Sequence, residues 1–76
     1  MAKYEILVTY RTGIFDPAGE TARRGLEQIG FTGVDKVSIG KFIQLDADAT
    51  PDEVQVMCEK LLANPVIEDF AIKSVG

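Results

Sequence analysis

Alternation is the first signal along the chain. In KYEILVTY (residues 3–10), Tyr4, Ile6, Val8 and Tyr10 fall on one side, and Lys3, Glu5, Leu7 and Thr9 on the other. That is the period of a half-buried strand, closed by Arg11-Thr12-Gly13. The rhythm then changes to 3.6. Asp16 is placed to cap a helix, Pro17 suits its first position, and Ala18, Ala22, Gly25, Leu26 and Ile29 share one stripe over residues 17–29. Gly25 on that stripe costs about 1 kcal/mol of helix propensity, which predicts close approach of the helix to a sheet. Gly30 is expected to end the helix in a left-handed conformation. Residues 34–47 (VDKVSIGKFIQLDA) predict two strands about a tight turn near Gly40, with Val37, Ile39, Ile43, Leu45 and Ala47 inward. Thr50-Pro51-Asp52-Glu53 is a capping box. It opens a helix over 51–63 whose stripe is Val54, Met57, Cys58, Leu61 and Leu62. Asn64-Pro65 stops it, Asn because it tolerates the left-handed cap and Pro because it cannot continue. Residues 66–73 (VIEDFAIK) form a last strand with Phe70 and Ile72 in the core.

The order βαββαβ, in one domain over residues 1–76, predicts an α+β fold. Right-handed crossovers place both helices on one face of a four-stranded antiparallel sheet, the ferredoxin-like arrangement. The other face stays open and carries Leu7, Thr9, Phe42 and Gln44 beside Glu5 and Ser38. Burying Phe42 and Leu7 alone is worth roughly 3 to 6 kcal/mol. This face is therefore expected to be a subunit interface, made by sheet-to-sheet packing or by strands continuing between chains. Leu7, Phe42 and Gln44 are its leading contact residues. Arg11 and Lys41, next to strand ends, are second candidates for contact with partners.

Composition narrows the function. Eight Lys and Arg against twelve Asp and Glu give a net charge of -4, which opposes a nucleic-acid surface. Gly40-Lys41-Phe42 is the nearest approach to an RNA-recognition motif. One cysteine and no histidine remove disulfides, multi-cysteine metal clusters and Ser-His or Cys-His pairs. Cys58 reads as a small buried hydrophobe, and Asp16 as a cap in preference to an acid. Asp46, Asp48 and Asp52 do not have calcium-loop spacing, and no glycine set forms a dinucleotide fingerprint. Arg23 and Arg24 pair with Glu27 and Glu20 at i,i+4 spacing as a solvated ladder. Val56, opposite the second stripe, reads as a surface valine. Catalytic residues and bound metals or cofactors are expected to be absent from the chain. Without a signal sequence or membrane span, a cytoplasmic address is expected.

Three strings resemble the PurS family, the small subunit of phosphoribosylformylglycinamidine synthase. They are Asp16-Pro17-Ala18-Gly19, Ile39-Gly40-Lys41 and the thirteen residues from Cys58 to Phe70 (CEKLLANPVIEDF). The resemblance implies a place in purine biosynthesis. The complete synthase converts formylglycinamide ribonucleotide to the amidine, using ATP, magnesium and glutamine at its partner subunits. A glutaminase (PurQ) releases ammonia and a synthetase (PurL) adds it to the activated substrate. PurS-like chains, as dimers or tetramers, are implied to bridge the two and assist ammonia transfer, without catalytic residues of their own. An ACT-like regulatory module, which shares the element order and binds a small metabolite between paired chains, is the alternative.

Overall fold

A computed structural model describes all 76 residues, Met1–Gly76. β1 (Ala2–Tyr10) is followed by helix α1 (Pro17–Gln28), β2 (Lys41–Ala47), helix α2 (Pro51–Met57), a π-helical turn (Cys58–Leu62) and β3 (Glu68–Ser74). The sheet has three strands in the order β2-β1-β3, antiparallel throughout. β1 is thus the centre, with Ile6 opposite both Ile43 and Ile72.

The inward alternation of β1 is observed directly: Tyr4, Ile6 and Val8 are buried. With Val54, Cys58 and Ala63 they form the core, and Ile43, Leu45, Met57, Leu62, Phe70 and Ile72 pack around it. The Tyr4 hydroxyl donates to the Ala49 carbonyl at 2.7 Å, so the one polar group in the core is satisfied. The capping box forms in full: Glu53 N–H donates to Thr50 Oγ1 at 3.2 Å, and Thr50 N–H to the Glu53 carboxylate at 2.9 Å.

The expected fourth strand is not there. Residues 34–40 form no strand and run as a strap into β2. The reason lies at Gly40. A tight hairpin turn needs positive φ, and only Gly13 and Gly30 adopt it. Gly40 instead lets the strap pass the Val8 carbonyl, with whose oxygen a Cβ would collide. The Ile39 N–H, which a ladder would have used, goes to Asp16 Oδ2 at 2.8 Å.

Nor do both helices cover the sheet. Only α2 and the π turn reach the core, and the one buried residue of α1 is Gly19. Three strands about 4.8 Å apart are nearly covered by one helix about 10 Å across. The close approach predicted for Gly25 is also absent, since a Cβ there would meet nothing within 4 Å. Gly19 makes the approach instead, its Cα facing the Val37 carbonyl. α1 ends as expected at Gly30 (φ 103). Gly30 N–H donates to Glu27 O and Phe31 N–H to Leu26 O, a Schellman pair.

The second helix changes register at its end. Ala63 N–H donates to Cys58 O at 2.9 Å, the i→i+5 bond of a π turn. The wider turn keeps Leu62 at the core and turns Leu61, expected inside, out to 83 % exposure. Asn64 is not left-handed. It stops the helix as an Asx turn, its side-chain oxygen accepting Val66 N–H at 3.1 Å.

The result is long and thin, 47 × 25 × 14 Å, with a radius of gyration of 15.5 Å, against about 11 Å for a compact chain of this length. It exposes 5519 Å², about 900 Å² more than a compact monomer of its mass. No helix is long and apolar enough to cross a membrane.

Candidate functional site

The candidate site is the sheet face away from α2, and strand pairing arranges it in rungs. Leu7 on β1 stands between Phe42 on β2 and Ala71 on β3. The next rung on the same face is Gln44–Glu5–Lys73, and beyond it Lys3 faces Asp46. On the other side Thr9 faces Asp69. An apolar bar therefore crosses the sheet between polar rungs. Leu7 is 50 % and Phe42 59 % exposed, although both lie in regular strands, Leu7 on the central one.

The five residues singled out in the sequence do not all meet. Leu7 and Phe42 are direct cross-strand neighbours, and Gln44 is one rung away, opposite Glu5. Arg11 lies just past the end of β1, its N–H bound to the Ile67 carbonyl at 2.9 Å. Its guanidinium is 3.7 Å from the Asp69 carboxylate, with both side chains about half or more exposed, an ion pair of little energetic weight. Lys41 is on the opposite side. Its place next to Phe42 turns it toward the helices, where its ammonium donates to the Leu62 carbonyl at 3.3 Å and caps the π turn.

The concavities fit a large partner better than a small one. Beside Leu7, Phe42 and Ala71 lies a shallow depression of about 180 Å³, below the roughly 300 Å³ at which ligand pockets begin. A wider hollow of about 520 Å³ at the far end of the face is walled mainly by the polar side chains of Lys3, Glu5, Gln44 and Asp46, with Tyr4 and Val75 as its apolar part.

Several titratable groups elsewhere are tied into structure. The Asp16 carboxyl is held below its ordinary range by the N–H groups of Ile39 and Gly19, which it accepts at 2.8 Å each. Arg23 holds the Glu20 carboxyl low, and its own affinity for the proton is raised in return. Arg23 also pairs with Glu27, and Arg24 with Glu20 at 3.3 Å. Burial, and then Glu59, pushes the Cys58 thiol up, which disfavours the reactive thiolate. No three His, Cys, Asp or Glu side chains converge as metal ligands.

Two features escaped sequence reasoning. Asp16 does more than cap α1, because it also fastens the strap through Ile39. Its partner lies 23 residues away, beyond any local pattern. The second is the exposure of the apolar residues at the two ends of α1, Ile14, Phe15, Ile29 and Phe31. Phe15 and Phe31 flanking the helix were its available signal.

The comparisons agree with one another. The family profile "PurS: Phosphoribosylformylglycinamidine (FGAM) synthase" matches residues 3–76. A Synechocystis sp. phosphoribosylformylglycinamidine synthase subunit PurS is 45 % identical over 74 residues, covering 90 % of this chain and 73 % of the relative. The solved structure of Bacillus subtilis PurS superposes with a TM-score of 0.89 at 35 % identity, covering both chains fully. A chain in the structure of PurLQS from Thermotoga maritima is 37 % identical with a TM-score of 0.79, covering 97 % of this chain and 96 % of that one. On the profile match and these identities, the chain belongs to the PurS family of phosphoribosylformylglycinamidine synthase.

Proposed function

We propose that this chain is a structural, self-associating subunit of phosphoribosylformylglycinamidine synthase. It joins a PurL-like synthetase to a PurQ-like glutaminase and assists the passage of ammonia between them. ATP, magnesium and glutamine are bound by those partners, and this chain supplies no catalytic residue. The open sheet face, with Leu7, Phe42 and Gln44, is its contact surface toward other chains of the assembly, and Arg11 lies at the edge of that surface. Lys41 serves it indirectly by holding the end of the π turn.

The observation that carries this reading is the excess of exposed surface. A 76-residue chain that leaves about 900 Å² beyond a compact monomer's area exposed matches one partner's share of a standard interface, about 800 Å². The relative in a PurLQS structure supports the choice of partners.

The test is reconstitution. The synthetase and glutaminase are assayed for amidine formation from glutamine and, separately, from added ammonia, with and without this chain. Glutamine-dependent synthesis should require the chain, while ammonia-dependent synthesis should depend on it far less. Equal glutamine-dependent rates without the chain would overturn the proposal.

A further inference from the structure

We propose that the hollow between the end of β1 and the strap binds a phosphoryl group, as free phosphate or as a small phosphate monoester, with Arg11 and Lys36 as its cations. The inference goes beyond the assembly role proposed above and does not depend on it.

The hollow measures about 290 Å³, the space of roughly ten waters. Three segments wall it. The end of β1 supplies Thr9, the turn after it Arg11 and Thr12, and the strap Lys36 and Ser38. All five side chains carry hydrogen-bond donors, and none spends them on a hydrogen bond within the chain. Arg11 has only its 3.7 Å contact with the exposed Asp69 carboxylate, a pair that an incoming anion displaces at little cost. Lys36 forms no ion pair. The other cations with defined partners are engaged elsewhere, Arg23 and Arg24 with Glu20 and Glu27, and Lys41 with the Leu62 carbonyl.

Acceptors in the hollow are already used. Asp16 is the only carboxylate in its wall. One of its oxygens takes the Gly19 N–H and the other the Ile39 N–H, each at 2.8 Å. Unspent donors around a spent carboxylate call for a ligand that is itself an acceptor. Two cations on a chain of net charge -4 make it an anion. A phosphoryl group fits better than a carboxylate for two reasons. It carries between one and two negative charges at neutral pH, close to the two cations, and it offers three acceptor oxygens. Those oxygens point in different directions, as donors from three segments require, whereas a carboxylate's acceptor sites lie in one plane.

The test follows backbone amide shifts of the full chain by NMR during titration with sodium phosphate, against sodium chloride at matched ionic strength. Phosphate should move the amides of Thr9 to Thr12 and Lys36 to Ser38 saturably, with a dissociation constant of about 1 mM, and chloride should not. Arg11→Met and Lys36→Met change exposed side chains, so the rest of the spectrum should stay in place while each weakens binding about tenfold. Arg24→Met, on the helix ladder, should leave binding unchanged. Ribose 5-phosphate distinguishes the two sources: binding as tight as phosphate or tighter identifies a monoester, and weaker binding identifies free phosphate. The proposal is overturned if neither compound shifts these amides saturably, or if R11M and K36M both bind as the unaltered chain does. It is equally overturned if glutarate matches phosphate, which would make the hollow a dock for carboxylate side chains.

Discussion

Replacing Leu7 and Phe42 together by threonine tests whether the open sheet face is a contact surface. Threonine keeps the strand preference and removes most of the apolar bar. Phe42 leaves 59 % of its surface exposed, and since an aromatic side chain carries roughly 200 Å², docking would take about 120 Å² more from water. At about 25 cal/mol per Å² that amounts to about 3 kcal/mol, and half-exposed Leu7 adds about 1 kcal/mol. Threonine's methyl recovers part of this, which leaves a loss of about 3 kcal/mol, or roughly a hundredfold in affinity. The free chain should hardly notice. Neither residue belongs to the core, and surface changes stay within about 0.5 kcal/mol. The assay is binding of the chain to the immobilised synthetase–glutaminase pair, with a thermal melt of the free variant as control. An unchanged melt with at least about a tenfold loss of affinity is the expected pair of results. An affinity unchanged by L7T/F42T would refute the assignment of this face.

Three further outcomes follow from the geometry. Leu61→Ser should change stability by no more than about 0.5 kcal/mol, whereas Leu62→Ala should cost about 2 kcal/mol, both read by urea denaturation; the reverse order would contradict the π register. Asp16 has a carboxyl pKa below its ordinary 3.8 in the folded chain, so the unfolded chain binds that proton more tightly. Its contribution is complete above that value and is lost as pH falls through the folded pKa. Asp16→Asn should therefore lower the melting temperature at neutral pH, with the gap to the unaltered chain closing in acid; a gap constant with pH would disprove the clamp. The buried Cys58 thiol, with its pKa raised, should react with a disulfide reagent far more slowly in the native chain than in urea, and equal rates would show that it is accessible.

The parts of the fold legible in sequence are those the chain completes with its own residues. The alternation Tyr4-Ile6-Val8 needed only the sheet and α2, and the structure buries all three. The capping box at Thr50 needed four consecutive residues and is formed. Placement of Leu7 and Phe42 on one open face needed only the period of a strand and the pairing of β1 with β2. The misreading at Gly40 arises from ambiguity in glycine itself. It marks a turn through positive φ or a close approach through its missing Cβ, and composition does not distinguish the two. At Gly40 the second reading holds, so the hairpin and its fourth strand are lost. Leu61 was misplaced because α and π turns differ by one residue per turn, and the stripe Val54-Cys58 is compatible with either.

At α1 the periodicity was read correctly and the partner wrongly. An apolar stripe records that a face is to be covered, but not by which chain. The assumption that every stripe faces its own sheet put α1 beside α2. The structure leaves it outside, with Gly25 in open space and Ile29 and Phe31 exposed. For a small chain this error is informative. Where strand alternation and helix periodicity are both obeyed and the surface is still too large for the mass, the missing contacts belong to other copies or other subunits. The α1 stripe and the Leu7–Phe42 bar are two exposed apolar places of this kind, and they lie on different elements.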